Sequence, residues 1–288
     1  TQSRSNQMKE SSIIKLFSIT FFCYLLTGLS TVNADHSDVK IYDQNKPTVF
    51  ITGSNRGIGF GLAKNYAIKG WNVIATCRSP NRAEDLKDLA AEYPNILVEE
   101  LDVTDLDEIN QLATKYEGIP IDVLINNAGI LGDVQAQSFG SFDQSTFEKI
   151  MLVNAYGPLK VGEAFADNVA LSNQKKIVSM TSGLGSMQIT GSSDRFYFYR
   201  MSKAALNMGI IAMNVSLKEK GVMSALIAPG MVETALLEAS GYPLSGPGVV
   251  TIDQSALGLI EVIEEINPKT NRKNRGKAIN YDKGIIPW

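Results

Sequence analysis

Thr48-Val-Phe-Ile-Thr-Gly-Ser-Asn-Arg-Gly-Ile-Gly59 decides how the rest of the chain is read. Thr48 to Thr52 is a short apolar run with β-branched residues, the pattern of a strand buried on both faces of a parallel sheet. Gly53, Gly57 and Gly59 come directly after it, and Phe60–Lys69 reads as a helix ended by Gly70. Strand, glycine turn and helix together can hold a phosphate. The glycines permit a tight turn and a close ligand, and the helix N-terminus offers unpaired N–H groups and a partial positive charge. The spacing is Gly-x-x-x-Gly-x-Gly, not the Gly-x-Gly-x-x-Gly of most dinucleotide folds. No Lys-Ser or Lys-Thr stands after the last glycine, so it is not a P-loop. Glycines after a strand also occur without any nucleotide, so residues elsewhere in the chain must decide the reading.

From Pro47 onward strands and helices alternate. Strands are expected at 72–76, 95–101, 121–125, 176–180, 222–227 and 278–281. Helices are expected at 82–93, 106–116, 199–218 and 252–266, with one long helix over 145–171. Alternation of this kind builds βαβ units, hence an α/β fold with one doubly wound parallel sheet covered by helices on both faces. No linker interrupts Pro47 to Trp288, which reads as a single domain. Met231–Val250, rich in Gly and Pro, reads as a mobile loop.

The 288 residues carry a net charge of −3, with no basic stripe to suggest nucleic acid. The sole histidine, His36, lies in a polar N-terminal stretch, which nearly excludes His-dependent catalysis and any His-rich metal site; no metal is expected. Cys23 and Cys77 form neither a zinc pattern nor a disulfide framework.

Residues 1–34 read as an N-terminal extension and then a secretory signal. Met8 is a plausible start, and Lys9 and Lys15 precede an apolar run, Leu16–Leu29. Val32-Asn-Ala34 is a small-residue cleavage site. The run is shorter than the ~20 residues of a membrane helix. Export to a secreted, periplasmic or ER-lumen location is the expectation, with a cytoplasmic location if the segment does not function. An uncleaved anchor, which alone would bring a membrane contact, and a buried helix are the alternatives.

Further motifs stand after the later strands: Asp102-Val103, Asn126-Asn-Ala-Gly129, Asn154-Ala-Tyr-Gly157, Ser182, Tyr199-Arg-Met-Ser-Lys203 and Pro229-Gly-Met-Val-Glu-Thr234. With the glycine run, these resemble the short-chain dehydrogenase/reductase family in order and spacing over nearly all of Thr48–Trp288. The resemblance implies a Rossmann-like catalytic domain over 47–288 and hydride transfer between NADP(H) and a small carbonyl or alcohol. It implies catalytic roles for Tyr199, Lys203, Ser182 and Asn154, the last holding a water that relays protons to the Lys. It implies cofactor contacts from Gly53, Ser54, Asn55, Arg56, Gly57, Ile58, Gly59, Asp102, Val103, Asn126, Ala128, Gly129, Tyr199, Lys203, Pro229, Gly230, Val232 and Thr234. For Asp102 a turn role is the lesser alternative, and the strand-end Asn126 and Asn127 can equally satisfy neighbouring backbone. Relatives form dimers or tetramers through their long helices, so a homodimer or homotetramer is expected.

The residue chemistry agrees. Tyr199 and Lys203 stand four apart, on one helix face. A free Tyr has a pKa near ~10. A nearby ammonium is expected to lower it, and Ser182 can donate to a carbonyl oxygen. Tyr197 has Met201 four residues on and is not the catalytic Tyr. Arg78 closes the second strand where an NAD enzyme places an acid for the ribose 2′-OH; with Arg56 it predicts pairing with a 2′-phosphate.

The gap from Ser182 to Tyr199 and the end, Ile279-Asn-Tyr-Asp-Lys-Gly-Ile-Ile-Pro-Trp288, resemble the C-factor-like or Sniffer-like carbonyl reductase branch. That branch has Gly where Lys283 stands and is mostly cytoplasmic. A rival is an exported signalling or interaction protein that keeps the dinucleotide site as a scaffold. An epimerase or dehydratase on the same fold is a third reading, disfavoured by the short substrate region.

Overall fold

Strand β1 (Thr48–Thr52) is buried along its whole length and sits inside the sheet. Val49 and Ile51 point to one core, and Phe50 to the other. Full burial of each such side chain is worth roughly 1.5–3 kcal/mol. This computed structural model describes residues 43–189, 191 and 193–287; the 1–34 segment lies outside the described residues.

The parallel strands are β1, β2 (Asn72–Cys77), β3 (Ile96–Glu100), β4 (Val123–Asn126), β5 (Lys176–Met180) and β6 (Met223–Ala228). Next come a two-stranded pair, β7 (Met231–Val232) and β8 (Val249–Val250), and then β9 (Ala278–Asn280) and β10 (Ile285–Ile286). The main sheet runs β3-β2-β1-β4-β5-β6-β9-β10. Strand order reverses between β1 and β4, so a crevice opens beyond their carboxyl ends, where open α/β sheets bind ligands.

Helices α1 (Gly57–Ile68), α2 (Glu84–Glu92) and α3 (Leu106–Lys115) connect the first strands. Leu62 and Tyr66 of α1 share the Val49 core with Ile260 and Ile263 of a later helix, α9 (Ile252–Glu265), while Ile109 and Leu112 of α3 share the Phe50 core. Helices therefore cover both faces. Phe165 meets Phe50 with ring centroids 4.6 Å apart.

Three expectations are corrected. The long helix over 145–171 is broken into α4 (Gln144–Met151), a π turn over Leu152–Tyr156, α5 (Gly157–Ala164) and α6 (Ala166–Leu171). Pro158 has no N–H to donate four residues back to Asn154, so the ladder cannot stay α-helical there. The Gly-rich stretch over 231–250 is not all loop, since β7 pairs with β8 and encloses α8 (Ala235–Ala239). The sheet is not wholly parallel either, because β10 returns antiparallel on β9. Lys283, in that return, has φ 69°, which explains why glycine suits the position. Its ammonium reaches Glu265 at 2.8 Å and Glu261 at 3.3 Å. The remaining helices are α7 (Tyr197–Ser216) and α10 (Pro268–Lys273).

Candidate active site

The glycine turn is built for close approach. Gly53 and Gly57 have φ of 70° and 56°. A Cβ on Gly59 would fall 2.2 Å from the Gly53 carbonyl oxygen and 2.5 Å from Asn127 Nδ2, so only glycine lets α1 come this near β1. Helix α1 has no side-chain cap at Arg56 and no acid in its first turn, whereas Asp105 caps α3 and Thr251 with Gln254 makes a capping box on α9. The backbone N–H groups of Gly57 and Ile58 thus face the crevice without a side chain competing for them, and the helix dipole favours an anion there. Thr234 Cγ2 lies 3.4 Å from where a Gly57 Cβ would stand, so the start of the 231–250 segment overhangs the turn. Asn55 is half-buried and Arg56 exposed on the same turn.

Ser54 sits differently from expectation. It is fully buried, its Oγ donates to the Ile51 carbonyl at 2.9 Å and its N–H to the Thr76 carbonyl at 2.8 Å. It ties the turn to β1 and β2 and has no donor left for a ligand. Asn126 likewise points inward, donating to the Pro158 carbonyl at 3.1 Å and to Ser179 Oγ at 3.2 Å. The next residue, Asn127, braces the turn: Nδ2 donates to the Thr52 and Gly53 carbonyls at 2.9 and 3.1 Å. Thr52 Oγ1 accepts from the N–H groups of Asn127 and Ala128, both at 3.0 Å. Ala128 and Gly129 line the next turn, and a Cβ on Gly129 would meet Asn154 Oδ1 at 3.3 Å and Lys203 Nζ at 3.6 Å.

Asp102 is a turn residue first. Its Oδ1 accepts from the Thr104 N–H at 2.9 Å and hydroxyl at 2.8 Å. Val103 is buried in the core, and a Cβ on Gly157 would fall 2.7 Å from its carbonyl oxygen. Arg78 is exposed at the end of β2 and lines a cavity of about 380 Å³ with Ile130, Asp133, Thr146 and Lys149. Lys149 is a second cation on this cavity; it stands outside every motif, on a helix distant in sequence from Arg78, so motif reading does not find it. Across the crevice, the Pro229 carbonyl accepts from Ser255 Oγ at 2.8 Å. Gly230, with φ 79°, passes so close to Tyr281 that a Cβ would lie 2.5 Å from its ring. Val232 is buried in β7.

The reactive groups meet at the N-terminal half of α7. Tyr199 is 6% exposed, and burial pushes its phenol up to about 12 against the pull of a hydrogen bond with Ser182. The expected downward shift from Lys203 is not what the geometry gives. Lys203 Nζ lies over the Tyr199 ring, 5.7 Å from its centroid, and donates to the Met180 carbonyl at 2.9 Å. Burial pulls its own pKa down to about 8. Ser182 Oγ also accepts from the Leu184 N–H at 3.1 Å and so starts a short 3₁₀ turn. A Cβ on Gly185 in that turn would fall 2.8 Å from Lys203 Cβ, which sets how near the serine turn comes to α7.

Asn154 stands in the π turn, fully buried. Its Nδ2 donates to the Ile130 carbonyl at 2.8 Å and to Ser202 Oγ at 3.0 Å, and its Oδ1 accepts from the Ile130 N–H at 2.8 Å. Both side-chain N–H donors are engaged, so the side chain clamps the loop after β4 against α7. Gln137 is a second clamp that the motifs did not reveal. Its Oε1 accepts from the Tyr199 N–H at 3.0 Å, and its Nε2 donates to the Leu131 and Asp133 carbonyls at 2.9 and 3.1 Å. A lone Gln in a loop carries no sequence signal for this; the free N–H groups expected at the start of α7 are the only hint.

A family model described as short chain dehydrogenase matches residues 47–242. The chain is 32% identical over 170 residues to C-signal of Myxococcus xanthus, covering 59% of this chain and 93% of that protein. The structure superposes on an NADPH-bound carbonyl reductase from chicken fatty liver with a TM-score of 0.75 and 29% identity, over 84% of this chain and 99% of that one. It matches carbonyl reductase Sniffer of D. melanogaster with a TM-score of 0.72 and 26% identity, over 84% and 100%.

Proposed function

The chain belongs to the short-chain dehydrogenase family, and from that premise we propose that it is an NADP(H)-dependent carbonyl reductase with Tyr199 as its acid. The observation that carries this reading is one crevice holding both an uncapped glycine turn and the buried Tyr199, Ser182 and Lys203. The residues fit a dinucleotide: Gly53 and Gly57, both at positive φ, form the tight turn, and the first turn of α1 offers N–H donors to phosphate. When bound, the cofactor supplies the hydride. Ser182 donates a hydrogen bond to the substrate oxygen, and Tyr199 delivers the proton to it as negative charge develops. Lys203, an ammonium at neutral pH, would hold the ribose hydroxyls, and Asn154 and Gln137 fix the loop and the helix start that carry these groups. A phenol near 12 is fully protonated at neutral pH, the state that reduction needs. Consumption of NADPH with a panel of small aromatic and quinone carbonyls tests the reading. Tight NADPH binding with no turnover on a broad panel would favour the interaction-protein alternative.

NADPH is expected to be preferred over NADH. Arg78 and Lys149 flank one cavity, and no acid stands at the end of β2 to accept from a ribose 2′-OH. Charge-assisted hydrogen bonds contribute roughly 1.5–3 kcal/mol each, so the preference should be about tenfold or more. Arg78→Asp should erase or reverse it in titrations of cofactor fluorescence. Equal wild-type affinities for the two cofactors would remove this assignment.

A second copy of the chain is the partner that α7 supports. Met201, Met208 and Val215, seven residues apart, are 49%, 62% and 58% exposed on it. Leu152 and Tyr156 of the π turn are exposed as well. Light scattering should give a dimer or tetramer mass, and Met208→Glu should shift it toward the monomer without changing the unfolding temperature of the monomer fraction. A monomeric wild type at micromolar concentration would refute this.

A further inference from the structure

The segment over 231–250 is pinned at its base and again near its middle. At the base, Met231 pairs with Val249 and Val232 with Val250. The second pin is Arg195, outside every motif the family resemblance uses. Its guanidinium donates to the Ser240 carbonyl and lies over the Tyr242 ring, 5.5 Å from the centroid. Gly241 between them has φ 77°, and a Cβ there would stand 3.4 Å from Arg195 Nη2. The same guanidinium lies 4.5 Å over the ring of Phe196. Phe196 has φ 63° and ψ 44°, a left-handed conformation in which a bulky residue is a genuine outlier. It is 2% exposed and packs with Leu131 and Tyr199. One side chain therefore joins the overhanging segment to the strained residue that packs on Tyr199.

We propose that Arg195 is a positioning residue that latches the 231–250 segment over the crevice, with the Phe196 ring as the platform on which its guanidinium rests. The proposal rests on the carbonyl reductase reading for its kinetic part alone. The physical basis is that a planar guanidinium can stack on two rings and donate to a carbonyl at once, which an ammonium cannot. Gly241, Gly246 and Gly248, all at positive φ, give the segment the backbone freedom to lift when the latch is released.

The test compares wild type, Arg195→Ala and Arg195→Lys by two readouts. The first is cleavage by chymotrypsin after Leu244 in native conditions, since Pro243 blocks cleavage after Tyr242. It should be about tenfold faster in Arg195→Ala and intermediate in Arg195→Lys, since cleavage tracks the population of the open form. The second is steady-state kinetics. KM for the carbonyl should rise about tenfold in Arg195→Ala, with kcat and NADPH affinity changed less than about twofold, because a latch alters the fraction of competent enzyme and not the cofactor site. Arg195→Ala with wild-type cleavage and wild-type KM overturns the latch, as does an equal loss of NADPH affinity. Faster cleavage in Arg195→Ala alongside a wild type that reduces no carbonyl leaves the latch standing and removes the reductase reading.

Discussion

Tyr199→Phe should bind NADPH as wild type does and lose carbonyl reduction by a factor on the order of 10² or more. The ring is 6% exposed and packs with Leu131 and Phe196, contacts that Phe retains. Only the hydroxyl goes, and with it the proposed proton donor and the hydrogen bond with Ser182. Tyr197→Phe is the control: Tyr197 meets Phe142 with centroids 5.1 Å apart, a packing contact that Phe preserves, so turnover should hardly change. The direction of the phenol shift adds a second signature. Burial raises the pKa to about 12, so the acid form needed for reduction persists across the neutral range. The reverse reaction needs the tyrosinate, so alcohol oxidation should keep climbing past pH 10 where reduction does not. Reduction by Tyr199→Phe at the wild-type rate, or oxidation that levels off near pH 7, would place the acid on another residue.

What makes this site legible in the sequence is local chemistry tied to a fixed strand end. A strand that runs into Gly53, Gly57 and Gly59 becomes informative once the later motifs join it, and Tyr199 with Lys203 at helical spacing shares one face whatever else the chain does. The succession of β1 to β6 along the chain is readable from alternation alone. Interior direction is not legible. Ser54 and Asn126 stand in the same short motifs as true crevice residues, yet strand pleat and turn geometry aim them at partners inside the protein. Asn127, one residue on, braces the glycine turn instead. The break in the helix over 144–171 is hidden because the periodicity is continuous, and only the missing N–H of Pro158 marks the π turn at Asn154. Gln137 and Arg195 act across long sequence separations through backbone carbonyls and N–H groups, which leave no pattern in the chain. The sign of the Tyr199 shift is hidden for a related reason. Spacing displays the ammonium of Lys203 beside the phenol but does not display the burial of both groups.

That burial leads to the other large effect, at Lys203. An ammonium held 4% exposed, with its pKa pulled from 10.5 down to about 8, destabilises the folded chain wherever it stays protonated. Below pH 8 both folded and unfolded states carry the proton, and the penalty is full, roughly 3 kcal/mol at ~1.4 kcal/mol per pH unit. Between pH 8 and 10.5 the folded state has lost the proton and the unfolded state still binds it, so wild-type stability from this group rises with pH. Above 10.5 the penalty is gone. Tyr199 acts in the opposite sense and higher, since a phenol raised from 10 to about 12 loses folding stability as pH climbs between those values. Lys203→Met keeps an unbranched chain of similar length and gives up one hydrogen bond, to the Met180 carbonyl, worth about 1 kcal/mol. In urea unfolding without cofactor it should therefore be more stable than wild type by about 1–3 kcal/mol at pH 7, with the gap closing between pH 8 and 10.5. The same variant should lose NADPH affinity and nearly all turnover, because under the proposed function the charge that destabilises the fold is the one that would meet the ribose, and it stands over the Tyr199 ring. A Lys203→Met protein that is less stable than wild type at pH 7, or whose gap does not change by pH 10.5, would mean that the folded chain does not bury this ammonium. The crevice would then be more open to water than its geometry indicates, and the high pKa of Tyr199 would have to be given up along with it.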